Sequence, residues 1–89
     1  MVITLNEQLT IQQVSPLLDK FKKGLEASDI LTIDVSAARE VDSAFLQLLC
    51  AVKDAAARDK KEFALRLAED PDNAFAKACR DVGLERLYL

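Results

Sequence analysis

The stretch from Ile30 to Cys50, ILTIDVSAAREVDSAFLQLLC, decides the fold of this chain. It opens with six residues, Ile30 to Val35, that are rich in apolar and β-branched side chains and predict a central strand covered on both faces. A polar turn follows, and from Ser43 onward the apolar residues recur at the spacing of a helix. A strand, a short turn and a helix in this order indicate a crossover between parallel strands.

The sequence on either side continues this alternation of strands and helices. The other predicted strands are Val2 to Leu5, Glu62 to Leu67 and Arg86 to Leu89. The predicted helices begin at Thr10 or at Ser15-Pro16, at Ser43 and at Asp70-Pro71, and the second ends near Arg58 and the third at Gly83. The order βαβαβαβ predicts a single small α/β domain over residues 1–89, with a mainly parallel four-stranded sheet and three helices. With only three helices, we expect one face of the sheet to have little cover.

The composition argues against several classes of function. The 89 residues carry a net charge of −3, and without a basic stripe we expect no nucleic-acid partner. The chain has no histidine and only two glycines, so a histidine base, a histidine-containing zinc site and a glycine-rich phosphate loop are absent. No segment approaches the roughly 20 apolar residues of a membrane span, and the first residues do not resemble a secretion signal. We therefore expect a cytoplasmic protein that is not an enzyme, inserts into no membrane and needs neither cofactor nor metal.

Two cysteines fall within predicted helices. Cys50 and Cys79 do not form a CxxC pair. Two buried, reduced thiols are a simpler interpretation than a disulfide.

The pair Asp42-Ser43 is the place where chemistry is most plausible without a cofactor. Either residue is a good N-cap for the second helix, and capping alone requires no further function. The functional alternative is a phosphorylation site, because free backbone N–H groups and the positive end of the helix dipole lie close to a phosphate there. Such a phosphate changes the charge of a docking surface while it leaves the helix intact.

The next turn of the helix extends this surface. Ser43, Leu46, Gln47 and Cys50 share one helical face, turned away from the core stripe that contains Phe45. We expect Leu46 and Cys50 to be partly exposed there, as a small apolar patch suited to a protein partner. The alternative is that a neighbouring helix covers them.

At these residues the chain resembles the STAS domains (sulphate transporter and anti-sigma factor antagonist) over nearly its whole length. The strand ILTIDVS, the segment VDSAFLQLLCAVKDAAARDKKEFALRL and the ending VGLERLYL carry the similarity. Its most specific part is the pattern apolar-Asp-Ser-x-x-Leu from Val41 to Leu46. Ala44 fits the family pattern, whereas Phe45 stands where the family usually has glycine.

The resemblance implies a function by protein contact. In the antagonist branch a serine kinase that is also an anti-sigma factor phosphorylates the hydroxyl residue after the aspartate, and the unphosphorylated form binds that kinase. This role falls on Ser43, in a regulatory protein-binding module. The alternative is a non-phosphorylated accessory subunit, like the small STAS proteins of chemotaxis clusters and lipid-transport ABC systems. The predicted partner-binding residues are Ser36, Ala37, Arg39, Asp42, Ser43, Leu46, Gln47 and Cys50.

Overall fold

A computed structural model describes residues 1–10, 12 and 14–88. The strands in chain order are β1 (Val2–Thr4), β2 (Gln8–Leu9), β3 (Ile30–Asp34), β4 (Glu40–Val41) and β5 (Glu62–Arg66). The helices are α1 (Val14–Ala27), α2 (Ser43–Arg58) and α3 (Ala74–Val82), and a 3₁₀ turn covers Glu85–Leu87.

The strands form two separate sheets, and the paired strands within each sheet run parallel. In the main sheet β3 lies between β1 and β5, and a two-stranded ribbon pairs β2 with β4. The register of the main sheet places Ile3 opposite Ile33 and Ile33 opposite Leu65. Since side chains alternate between the faces of a strand, one face of this sheet is apolar along its whole width.

The predicted four-stranded sheet is wrong at its last strand. Residues Glu85–Leu87 form a 3₁₀ turn, and Leu89 lies outside the described residues. Leu87 and Tyr88 follow Leu84 by three and four residues, which places them on its side of a turn, and all three are packed in or against the core. A strand would have put alternate residues on opposite sides. The turn packs against α2, and the Lys53 ammonium donates to the carbonyl of Arg86.

The core fills the space between one face of the main sheet and the helices. Phe21, Phe45 and Phe75 contribute one fully buried ring from each helix. Gly24 lets α1 approach the sheet, because a Cβ there would come within 3.0 Å of a Leu31 methyl group. Helix α1 begins at Val14, which lies between the two predicted starts. Pro16 therefore falls in the first turn, where a backbone N–H would have no acceptor within the helix, so its absence removes no hydrogen bond.

The other face of the main sheet is open, as expected from the small number of helices. Val2 and Ile30 point to it and are 53% and 49% exposed. The prediction that β3 is covered on both faces is therefore wrong: Leu31 and Ile33 are buried, whereas Thr32 and Asp34 on the opposite face are only partly buried.

The third helix begins later than predicted and ends where predicted. Its N-cap is Asn73, because Asp70 instead accepts the N–H of Asp72 and shapes the preceding turn. Gly83 ends the helix at a φ of 73°, in the left-handed region that glycine adopts without strain.

Candidate functional site

The start of α2 has a complete N-cap made by Asp42. This residue has extended backbone angles, and its carboxylate Oδ1 accepts the N–H of Phe45 at 3.0 Å. Ser43 is consequently the first helical residue and is exposed. Of the two predicted capping residues, the aspartate does the capping, so the helix does not need the Ser43 hydroxyl for this purpose.

The loop before α2 is fixed to the rest of the domain at both ends. At its beginning the backbone N–H of Ser36 donates to Asp34 Oδ1 at 2.9 Å. Hydrogen bonds from Ser36, first through its side chain and then through its N–H, lower the pKa of Asp34. Within the loop Val35 and Ala38 are buried, which leaves Ser36 and Ala37 facing solvent.

The β2–β4 ribbon fixes the far end of the same loop. The N–H groups of Arg39 and Glu40 both donate to the carbonyl of Glu7, at 2.8 and 3.0 Å, and the N–H of Asp42 donates to the carbonyl of Leu9 at 3.0 Å. Several long-range hydrogen bonds therefore hold the backbone directly before Ser43 in place. This ribbon was missed by sequence reasoning, because two-residue strands are too short to show an alternating pattern.

The surface around Ser43 is polar and negatively charged. Glu40 and Asp42 precede the serine, and the one arginine of the loop, Arg39, lies 3.7 Å from Glu7 as an exposed ion pair. An open groove of about 300 Å³ beside the ribbon is lined by Gln8, Thr10, Gln12 and Glu40. A phosphate on Ser43 would add to negative charge that is already present.

The exposed line of α2 differs from the predicted face. It runs through Ser43, Gln47, Ala51, Asp54 and Arg58, at steps of three or four residues. Leu46 and Cys50 are 0% and 8% exposed, so the prediction of a partly exposed apolar patch is wrong.

The neighbours of α2 explain this correction. Helix α3 and the 3₁₀ turn both pack against α2, and Cys79 of α3 lies near Cys50. Burial raises the pKa of the Cys79 thiol to about 11, and both cysteines are free, as predicted. The burial of Leu46 and Cys50 agrees with the alternative interpretation, in which a neighbouring helix covers them.

Most of the other predicted partner-binding residues are exposed. Ser36, Ala37, Arg39, Ser43 and Gln47 are exposed, and Asp42 is partly buried by its capping role. We call the set made by Ser36, Ala37, Arg39, Ser43 and Gln47 the Ser43 surface. Phe45, which replaces the usual glycine of the resemblance, is fully buried and leaves the solvent side of the first turn to Ser43 and Ala44.

Comparison with known protein families identifies the fold. The family model described as "Mlab, STAS domain" matches residues 1–89. The chain belongs to the STAS domain family. This family includes anti-sigma factor antagonists and other regulatory modules, and STAS domains typically bind protein partners. A search of curated proteins found no match for the chain.

None of the helices within residues 1–10, 12 and 14–88 is both long and apolar enough to cross a membrane. The Ser43 surface lies on the carboxyl side of β3, the side at which parallel strands of α/β folds present their loops and helix starts.

Proposed function

We propose that this STAS domain is a cytoplasmic regulatory module that docks a partner protein through the Ser43 surface, and that phosphorylation of Ser43 weakens the docking. The domain acts by contact and not by catalysis. The partner is of the serine-kinase or anti-sigma type that the resemblance implies. The observation that carries the proposal is an exposed serine at the first position of α2, beside a capping aspartate that makes the hydroxyl dispensable for the helix.

The existing cap determines how a phosphate on Ser43 would act. Asp42 already accepts the Phe45 N–H, and its carboxylate repels a second anion. A phosphate is therefore not drawn into the cap but projects from the surface with a charge of about −1.5 to −2. It leaves the fold intact and places a strongly hydrated group where a partner would have to exclude water.

Burial of Phe45 supports access to Ser43. Because the ring is in the core, it does not stand between the serine hydroxyl and an approaching kinase. Ser36, Ala37 and Arg39, which are exposed on the loop that leads to α2, provide further contact area.

The direct test is phosphorylation of the purified protein by candidate serine kinases with ATP, followed by intact mass and peptide mapping. We expect one phosphoryl group, on Ser43, and none on the Ser43→Ala variant. The matched control is Ser43→Ala/Ala74→Ser, which places a serine at the first position of α3 behind the Asn73 cap. A kinase that reads the Ser43 surface will leave this control unmodified.

The second candidate is a non-phosphorylated accessory subunit of a chemotaxis-type or lipid-transport ABC complex. The resemblance to small STAS proteins of such complexes supports it, and the matching family model, described as "Mlab, STAS domain", fits it as well as the first candidate. In this case the Ser43 surface binds its partner constitutively. Absence of phosphate at Ser43, together with partner binding that Ser43→Asp does not weaken, would support this candidate over the first.

A further inference from the structure

The open face of the main sheet is unusual for parallel strands, which are normally covered on both sides. None of the helices in the described part of the chain packs on it. Its residues form three rows across the sheet, set by the strand register: Ile30 and Glu62, then Val2, Thr32 and Ala64, then Thr4, Asp34 and Arg66.

The charges on this face are arranged at opposite ends of one strand. Glu62 begins β5 and Arg66 ends it, and both are exposed. Four residues of strand separate them by about 13 Å. Between them the middle row carries only apolar or small side chains, so the face has a neutral centre, with Glu62 at one end and Arg66 beside Asp34 at the other.

We propose that this face binds a second copy of the chain, with the two sheets face to face and their strands antiparallel. A two-fold axis through the middle row brings Glu62 of each copy opposite Arg66 of the other and stacks the two middle rows. Within the described residues Glu62 has no ion pair, whereas Arg66 lies 3.9 Å from Asp34 and is exposed enough to reach a second carboxylate.

The remaining charge on the face is accommodated without a contact from the second copy. Asp34 accepts the Ser36 N–H and lies beside Arg66, and its side chain is only 14% exposed. Strands aligned within about 30° of each other are the common arrangement of two packed sheets.

The size of the face sets the strength of the contact. Two strands of five residues and one of three, at their usual spacing, give a patch of at most about 14 by 16 Å. This is smaller than the roughly 800 Å² per partner of a standard stable interface, so we expect weak, concentration-dependent dimers. Because α2 lies on the covered face, Ser43 and Gln47 stay free in such a dimer.

Sedimentation velocity over about 10 µM to about 1 mM protein measures the association. We expect the average sedimentation coefficient of the wild type to rise with concentration. Ala64→Arg should weaken the association at least tenfold, since it puts two cations at the dimer centre. The matched control is Ala57→Arg on an exposed position of α2, which should associate like the wild type.

Mixing two charge variants tests the antiparallel arrangement itself. Glu62→Arg and Arg66→Glu should each fail to self-associate, because like charges then meet across the axis. An equimolar mixture of the two should associate again, since every pair across the axis becomes opposite in charge. Circular dichroism of each variant checks that the domain is folded.

The outcomes are decisive in both directions. Recovery in the mixture, with loss in Ala64→Arg and not in Ala57→Arg, supports the proposal. A wild type that stays monomeric throughout, a dimer that survives Ala64→Arg, or a mixture no better than its two components would overturn it.

Discussion

The starts of α2 and α3 are built alike, but they differ in the capping side chain and in the first helical residue. Each follows the carboxyl end of a strand, and between strand and helix an aspartate accepts a backbone N–H two residues further on: Asp34 at the end of β3, and Asp70 in the loop after β5. Each helix has a capping side chain that accepts the N–H three residues later, from Asp42 at 3.0 Å and from Asn73 at 2.8 Å. The first helical residue is then Ser43 in α2 and Ala74 in α3.

This comparison separates what the fold needs from what it does not. An alanine at the first position serves α3, so the hydroxyl of Ser43 is not a structural requirement of a capped helix in this domain. The α2 start also has a second support, the β2–β4 ribbon, which joins its loop to residues 7–9. Ser43 therefore lies at the better anchored of the two helix starts, which is consistent with a role in recognition.

The largest expected effect concerns the aromatic ring that each helix buries in its first turn. Phe45→Ala and Phe75→Ala should each lower the free energy of unfolding by about 3–5 kcal/mol, because each removes a fully buried ring from the core. Urea unfolding followed by circular dichroism measures both. A cost below about 1 kcal/mol for Phe45→Ala would show that the ring is not part of the core.

Removal of either N-cap side chain should lower the free energy of unfolding by less than removal of a buried ring. Asp42→Ala and Asn73→Ala should each destabilise the domain by about 1 kcal/mol, since each leaves a backbone N–H of the first turn without its side-chain acceptor. Asp42→Asn is the control that keeps a capping oxygen and should retain most of the stability. If both alanine variants unfold at the wild-type urea concentration, the caps are not what stabilises these helix starts.

Substitution of the first residue of α2 or of α3 should have little effect on stability. Ser43→Ala and Ala74→Ser should each change the free energy of unfolding by less than about 0.5 kcal/mol, as is usual for substitutions without a core or cap role. The same urea titrations measure it. A loss of 1 kcal/mol or more in Ser43→Ala would contradict the comparison, because the hydroxyl would then be structural.

The smallest expected effect is on the acid dependence of stability through Asp34. Hydrogen bonds from Ser36 lower its pKa in the folded domain, so the carboxylate contributes stability at pH values above its unfolded pKa of about 3.9. That contribution is lost as the pH falls through the lower, folded pKa. Asp34→Asn should therefore be less stable than the wild type at neutral pH and approach it in acid. Urea midpoints from about pH 7 down to about pH 3 measure the difference, and two parallel curves would refute the assignment.

Much of the fold follows from the sequence because its signals are local. Helix α2 begins and ends at the predicted residues, since Asp42-Ser43 marks its start and apolar spacing its length. Gly83 marks the end of α3 for the same reason. The strands β3 and β5 each extend one residue less than predicted.

The errors arise where the partner of an element decides its structure. Arg86 to Leu89 has the apolar content of a strand, yet Glu85–Leu87 packs against α2 as a 3₁₀ turn. Burial of Leu46 and Cys50 depends on the position of α3, which the sequence of α2 does not contain. A signal was nevertheless available: Ser43, Gln47, Ala51 and Asp54 form a narrow line without large apolar residues, typical of a helix covered on both sides.

The site was predictable in part, for the same reasons. The exposure of Ser43 and the capping by Asp42 follow from their position at a helix start. The ribbon that anchors the loop was not predictable, because its hydrogen bonds join residues more than 30 positions apart.

The most direct test of the central claim is a quantitative pull-down from extract of the source cell with four tagged proteins: wild type, Ser43→Ala, Ser43→Asp and Ala74→Asp. Each variant has its fold checked by circular dichroism, and captured proteins are compared by mass spectrometry. We predict that a specific partner is captured equally by wild type, Ser43→Ala and Ala74→Asp, and is reduced at least tenfold with Ser43→Asp. Equal capture by all four would contradict control through Ser43, and equal loss with both aspartate variants would show that added charge at any helix start suffices.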